Sequence, residues 1–127
     1  MGATKMHFYT DHQIEMAKLC KALGHPARIA IVEKLIEEEK LNCTDLRYFV
    51  PLAQSTISRH LKELHEANIL GFKVVGNNSF YHINTETITQ VIEYLTHIRI
   101  NTRKTTDFGT VYFKPKIKHN QPYFMRN

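Results

Sequence analysis

The 127-residue chain lacks most features of secreted, membrane-spanning or metal-binding proteins. It has two cysteines and no Cys-x-x-Cys pair, which are too few for a disulfide scaffold and argue against a zinc ribbon or thioredoxin-type site. No apolar run approaches the roughly 20 residues that cross a bilayer, and the first residues have no apolar centre like that of a secretory signal. We therefore expect a soluble cytoplasmic protein without a membrane partner.

The chain also lacks the local motifs of common catalytic sites. No Gly-x-Ser-x-Gly, no His-Glu-x-x-His and no phosphate-binding glycine loop occurs. Catalysis needs a nucleophile and a base that meet in a cleft, and no segment suggests such a pair. The sequence predicts a protein that is not an enzyme and that carries no catalytic residue and no cofactor.

The net charge of +5 comes entirely from the end of the chain. Residues 1–100 hold 11 Lys or Arg and 11 Asp or Glu, whereas residues 101–127 hold six Lys or Arg and one Asp. We divide the chain into a domain at 10–100 and a basic, aromatic C-terminal arm at 101–127. Thr110-Val111-Tyr112-Phe113 resembles a short strand or a packed arm, so we expect the arm to dock partly on the dimer. Nucleic-acid binding by the domain must be argued from residue pattern, because its net charge is close to zero.

Apolar periodicity and end signals predict four helices in the first part of the domain. A capping box of Thr10 and Gln13 opens the first helix, and Gly24 ends it. Pro26 suits the first turn of the second helix. A short third helix near 44–50 stops at Pro51. The fourth runs from Gln54 to about Ala67, and Asn68 then takes the left-handed conformation that often ends a helix.

The residue pattern then changes to a hairpin and a last helix. Residues 72–75 and 80–83 are β-branched and aromatic, and Gly76-Asn77-Asn78-Ser79 separates them. Thr85 is expected to cap the fifth helix. The sequence thus predicts a mostly α fold with a small β-hairpin: a winged helix-turn-helix with five helices, a two-stranded wing and a dimeric assembly.

Each predicted helix carries an apolar stripe, and we expect the stripes of the third and fourth helices to face the core. The five stripes are Met16, Leu19, Cys20 and Leu23; Ile29, Val32, Leu35 and Ile36; Leu46, Phe49 and Val50; Ile57, Leu61 and Leu64; and Ile88, Val91, Ile92, Leu95 and Ile98. One small domain struggles to cover the first and last stripes, and two-fold pairing is the commonest remedy. The predicted dimer interface comprises Ile14, Met16, Leu19, Leu23, Val91, Leu95 and Ile98.

The fourth helix has the residues of a helix that reads DNA. Small polar residues in its first half allow the close approach that the major groove requires, and long donors follow. Gln54 can pair bidentately with adenine, and Arg59 with guanine or a phosphate. The predicted DNA-binding residues are Gln54, Ser55, Thr56, Ser58, Arg59, His60 and Lys62 on this helix, with Lys73, Asn77 and Asn78 on the wing.

Several segments together form a known pattern, namely Leu23-Gly24-His25-Pro26-Ala27-Arg28, Thr44-Asp45-Leu46, Gln54-Ser55-Thr56-Ile57-Ser58-Arg59-His60-Leu61-Lys62-Glu63-Leu64, Ala67-Asn68-Ile69-Leu70 and Phe80-Tyr81. The pattern resembles the ArsR/SmtB family of bacterial transcriptional repressors over roughly residues 12–98. The resemblance implies a homodimer joined through its first and last helices. It also implies binding to an imperfect inverted-repeat operator in double-stranded DNA and release when an effector binds.

The chain departs from this family at its metal sites. Asn42 and Thr44 occupy the ligand positions of the third helix, with Cys43 between them, and the last-helix ligand positions hold Thr85, Thr87, Ile98 and Asn101. We therefore predict no metal site. Ala53 stands where the family often has Ser at the N-cap of the reading helix, which leaves that helix without a side-chain cap.

Two alternatives to an effector-released repressor stay open on the sequence. The first is a thiol-based redox-sensing repressor that uses Cys20 and Cys43, since amide dipoles near the start of a helix can lower a thiol pKa. The second is a winged-helix module that binds a protein and no operator. The residues do not identify the operator or a small-molecule effector, and they do not decide between repression and activation.

Overall fold

The computed structural model describes residues 8–102, residue 109 and residues 112–115. Within that part, five helices and one antiparallel hairpin follow in the order α1 (Asp11–Leu23), α2 (Pro26–Glu38), α3 (Cys43–Leu46), α4 (Gln54–Glu66), β1 (Leu70–Val75), β2 (Asn78–Ile83) and α5 (Thr85–Asn101). This order confirms the predicted winged helix-turn-helix. None of the helices described is long and apolar enough to cross a membrane.

Side chains cap the first three helices where the sequence turns polar. The predicted capping box of Thr10 and Gln13 is present at the start of α1. Pro26 is the first residue of α2, and the Ala27 amide donates to His25 Nδ1 over 3.1 Å. A second capping box, of Asn42 and Asp45, opens α3.

Three boundaries differ from the predictions. The third helix ends at Leu46, and hydrogen-bonded turns carry the chain on to Val50. Asn84 is the N-cap of α5 and makes no side-chain cap, so the predicted cap by Thr85 is wrong. The hairpin turn contains Gly76 and one other residue, because Gly76 adopts φ +62° and lets the strands pair up to Val75 and Asn78.

Asn68 links α4 to the wing in the predicted left-handed conformation, with φ +61°. The reversal is held by two hydrogen bonds: the Ile69 amide donates to the Leu64 carbonyl over 3.0 Å, and His65 Nδ1 donates to the Leu70 carbonyl over 2.9 Å. The wing is therefore anchored to the end of α4 rather than hinged on a free loop.

The core lies between α1, α2, α3, α4 and the base of the wing. Its members are Met16, Leu19, Ala22, Ile31, Leu35, Leu41, Leu46, Val50, Ile57, Leu61, Leu64, Ile69 and Leu70. The predicted stripe of α4 is confirmed in full, since Ile57, Leu61 and Leu64 are 0%, 1% and 0% exposed.

Seven residues of the predicted apolar stripes lie on the surface: Cys20, Ile29, Ile36, Phe49, Ile92, Leu95 and Ile98. In α2 the buried line runs through Ile31 and Leu35, which are one turn apart, and this turns Ile29 and Ile36 outward. Phe49 instead stacks under a cation, because the Lys34 ammonium lies 3.9 Å from its ring centroid.

The residues predicted for the dimer interface, on α1 and α5, differ in how far their own chain buries them. Met16 and Leu19 are buried by their own chain where α1 packs on α5, so their assignment to the dimer interface is corrected. Ile14, Leu23 and Val91 are partly buried. Leu95 and Ile98 stay exposed, and with Ile92 they form an apolar α5 face with 45% to 57% of each side chain accessible.

Only a small part of the C-terminal arm is described. Residues 112–115 have no regular secondary structure, and Tyr112 and Phe113 are 88% and 87% exposed. The strand expected here is therefore not formed at these two residues, whereas docking of the arm on a dimer stays a prediction. The first half of that strand, Thr110 and Val111, and most of the remaining arm lie outside the described residues.

The N-cap of α4 offers a direct test of its local stability. Ala53 has extended N-cap geometry and makes no side-chain hydrogen bond. Substitution Ala53→Ser supplies an acceptor for a first-turn amide, so we expect the free energy of unfolding to rise by about 1 kcal/mol. Urea unfolding measures the change. Ala53→Val, which adds bulk but no acceptor, is the control, and equal stability of the two variants would contradict the account.

Candidate nucleic-acid interface

The turn between α3 and α4 is fixed by buried residues on both sides. Leu46 and Val50 are buried, and the Val50 amide donates to the Leu46 carbonyl over 2.9 Å. Ile57, in the first turns of α4, is buried on the other side. The core thus holds the angle between the two helices and the direction in which α4 leaves the turn.

The face of α4 opposite its buried stripe is polar and open. Successive helical residues are about 100° apart, which places Ser55, Arg59 and Lys62 opposite Ile57 and Leu61. These three side chains are exposed, and so are Gln54 and Ser58 beside them. Thr56 is partly buried. The structure therefore brings five of the seven predicted α4 residues to one accessible surface, which we call the reading face (Gln54, Ser55, Ser58, Arg59 and Lys62).

The positive charge of this face lies toward the start of the helix. Among the described residues Arg59 forms no ion pair, whereas Lys62 lies 3.9 Å from Glu66. Glu63 lies 4.0 Å from Arg28 of α2. The helix dipole adds partial positive charge in the first turn, at Gln54 and Ser55, one turn before Arg59. Free cationic charge and unpaired amides at the N-terminal half suit a phosphate backbone.

His60 is the seventh predicted residue on α4, and it points away from the reading face. Its ring packs on His25, at the start of α2, with 4.5 Å between the centroids. Burial lowers the pKa of His60, and the nearby charges of His25, Arg28 and Arg59 lower it further. The neutral ring is therefore favoured at neutral pH, and His60 adds no positive charge to the surface there.

Arg47 belongs with the reading face, although it is absent from the residues predicted above. Its Nη1 donates to Gln54 Oε1 over 3.2 Å. The apolar pattern of the third helix identifies Leu46 and Val50 as core residues, but it gives no role to Arg47, which lies between them in the sequence. Its distance of seven residues from Gln54, across a tight turn, is the signal that could have indicated it.

The wing has two different faces. Phe72 and Tyr81 pair across the strands, and the His65 ring of α4 packs on Phe72 at 4.8 Å. Lys73 is the next residue, so it points to the opposite face, where it lines a groove of about 520 Å³ with Lys40 of the α2–α3 connection. Asn77 and Asn78 are exposed at the tip. The structure thus does not bring Lys73 to the reading face.

The two thiols differ in exposure. Cys20 is exposed on α1. Cys43 is partly buried, and burial raises the pKa of its thiol, which opposes the lowering expected near a helix start. Across the described ranges, no three His, Cys, Asp or Glu side chains come together in a way that could hold a metal ion.

Comparisons with known proteins agree with this architecture. Residues 23–70 match a family model described as a helix-turn-helix domain. The chain is 32% identical over 100 residues to the transcriptional repressor PagR of Bacillus anthracis, covering 74% of this chain and all of PagR. It is also 32% identical over 72 residues to the arsenical resistance operon repressor of Bacillus subtilis, covering 57% of this chain and 69% of that repressor.

Solved structures show the same fold. The crystal structure of PagR superposes with a TM-score of 0.55 at 31% identity, covering 65% of this chain and 94% of PagR. An ArsR-like transcriptional regulator from Rhodococcus sp. RHA1 superposes with a TM-score of 0.63 at 18% identity, covering 72% of this chain and 85% of the regulator. With the open reading face of α4 and the anchored wing, these similarities show that the chain belongs to the ArsR/SmtB family of winged-helix transcriptional regulators.

Proposed function

We propose that this regulator is a homodimeric repressor, not an enzyme, and that it binds an inverted-repeat operator in double-stranded DNA through α4. The observation that carries the proposal is the reading face, which residues 8–102 leave uncovered. Burial of Ile57, Leu61 and Leu64 directs this face outward. Because its ligand is DNA, we infer that the protein acts in the cytoplasm.

Each residue of the reading face has a chemical role in this proposal. Arg59 donates to guanine or to a phosphate, and Gln54 contacts a base edge from the first turn. Ser55 and Ser58 are short donors that let the helix backbone approach the groove and bind phosphate oxygens. Thr56, partly buried beside them, completes the small polar surface of the first turns. Lys62 contributes a weaker attraction, because Glu66 partly offsets its charge.

The wing adds contacts to the adjoining backbone. Asn77 and Asn78 are exposed at the hairpin tip, and their amides can donate to phosphate oxygens. The hydrogen bond from His65 to the Leu70 carbonyl keeps the hairpin at a fixed position beside α4. Lys73 points to the other face of the hairpin and acts through its charge at longer range.

The apolar α5 face supports the homodimer. Ile92, Leu95 and Ile98 are 57%, 54% and 45% exposed, and exposed apolar patches of this kind mark interaction sites. Pairing with a second copy about a two-fold axis buries the same α5 face on both chains. It also points two α4 helices at half-sites about one helical turn apart on the duplex.

Release from DNA is proposed to follow the binding of an effector, which is a small molecule or an oxidant. The raised pKa of Cys43 disfavours its thiolate, so an oxidant would react first with the exposed Cys20. A thiol pair therefore explains release less well than a small-molecule effector does.

Arg59 is the residue whose loss should weaken binding most. We expect Arg59→Ala to lower operator affinity about 5- to 150-fold, because it removes one strong base or phosphate contact. Fluorescence anisotropy with a labelled operator at one salt concentration measures the dissociation constant. Lys40→Ala removes the same charge from an exposed site on the α2–α3 connection, outside both the reading face and the apolar α5 face, and should leave the constant unchanged. Equal affinities of the two variants would rule out α4 as the reading helix.

Leu95 tests the dimer. Leu95→Asp places a charge on the apolar α5 face, which we expect to give a folded monomer, since Leu95 is half-exposed in the protomer. Sedimentation measures the mass of the wild type and the variant. Gln90→Asp is the control, because Gln90 lies five residues away on another side of α5 and is exposed. A monomeric wild type, or a dimeric Leu95→Asp, would contradict this interface.

The C-terminal arm is proposed to add nonspecific attraction to phosphates through its lysines. A chain that ends at Thr102 should then show a weaker dependence of affinity on salt, because each phosphate contact contributes about −0.9 to the logarithmic slope. Binding constants at several salt concentrations measure the slope for the full and shortened chains. An identical slope would show that the lysines do not contact DNA.

A further inference from the structure

Two side chains of the α3 segment hold the first residue of α4. Arg47 Nη1 donates to Gln54 Oε1 over 3.2 Å, and the Cys43 thiol donates to the Gln54 backbone carbonyl over 3.7 Å. Cys43 and Arg47 are four residues apart, which puts them on the same side of a helical turn. Gln54 is therefore held at its backbone and at its side-chain amide from the same direction.

The backbone that carries Cys43 and Arg47 is itself held in place by hydrogen bonding and burial. The Arg47 backbone amide donates to the Thr44 carbonyl over 3.2 Å. The preceding residue, Leu46, is fully buried in the core. Burial raises the pKa of the Cys43 thiol, so the thiol keeps its proton and stays a donor at neutral pH. Neither contact depends on a mobile loop.

The chemistry of a guanidinium decides which way the Gln54 amide faces. Arginine has five N–H donors and no acceptor, so it can bind only the oxygen of the amide. The Nε2 amino group of Gln54 must then point away from Arg47. A glutamine without this neighbour can rotate its amide by half a turn and exchange donor and acceptor, but Gln54 loses the Arg47 hydrogen bond if it does so.

We propose that Arg47 is a positioning residue that sets the base preference of Gln54, an inference that rests on the proposed DNA-reading function of α4. In the major groove guanine presents two acceptors, N7 and O6, whereas adenine presents one acceptor and one donor. Bidentate pairing with adenine requires a glutamine oxygen directed at the base, and Arg47 directs that oxygen toward α3. Gln54 therefore acts as a donor and favours guanine over adenine, which reverses the preference expected from the sequence.

Selection of bound sequences from a random duplex library tests the proposal with the full chain. Gln54→Ala identifies the base pair that Gln54 reads, as the position where the preference disappears. Wild type should prefer guanine there. Arg47→Ala should lower the guanine-over-adenine ratio at least about fivefold at that position alone, because one bidentate contact discriminates by at least this factor. Arg47→Lys keeps a donor near Oε1 and should restore part of the ratio.

Two further variants separate positioning from folding and from charge. Gln54→Glu retains a partner for Arg47 but has no donor, so guanine preference should give way to cytosine, whose amino group donates to carboxylates. This variant leaves α3 unchanged, so its result does not depend on whether Arg47→Ala folds. Lys40→Ala removes the same charge outside the reading face and the apolar α5 face and should leave every position as in wild type.

Three results would overturn the role of Arg47 while leaving DNA binding in place. One is a wild-type preference for adenine at the Gln54 position. Another is an Arg47→Ala profile that is unchanged. The third is an equal loss at all positions with a salt slope smaller by about 0.9, which would make Arg47 a phosphate contact. Failure of wild type to enrich any sequence is different, since it would refute the proposed DNA-reading function itself.

Discussion

The burial of three aliphatic side chains on α4 is the contact on which the rest of the structure depends. Ile57, Leu61 and Leu64 are shielded from water by a core that includes Leu46 and Val50 of the preceding turn. Each such side chain contributes about 1.5–3 kcal/mol on burial, and the gain is lost if the helix rotates about its axis. The apolar stripe therefore fixes the rotation of α4, and with it the direction of every polar side chain on the opposite face.

Contacts at both ends of α4 further restrict the positions of its polar side chains. His65 and Asn68 tie the end of the helix to the wing, while Arg47 and Cys43 hold its first residue. A base-reading helix needs such support, because its discrimination relies on donors placed to within a fraction of an ångström. The apolar α5 face and the reading face lie on different helices, so the proposed pairing through α5 does not require the residues that read DNA.

The sequence predicted the parts of the fold that a strong local pattern determines. The apolar stripe of α4 has helical spacing and the remaining sides of the helix are polar, so its burial was predicted correctly. Asparagine is one of the few residue types that tolerate a positive φ, and the left-handed conformation predicted for Asn68 is also confirmed. The α2 stripe was only partly right, since its apolar residues surround much of the helix and only packing decides which of them face inward. The hydrogen bond of Arg47 to Gln54 and the orientation of His60 do not follow from the apolar pattern, because both depend on contacts across a turn or between helices.

The central claim is that the outward side of α4 enters the major groove, and nuclear magnetic resonance reports on it residue by residue. The ¹⁵N-labelled full chain is titrated with a duplex obtained by selection, and amide shifts are followed. We predict that the largest changes fall on Ser55, Ser58, Arg59 and Lys62, with smaller ones at Asn77 and Asn78. Changes concentrated on α1 and α5, with α4 unaffected, would contradict the account.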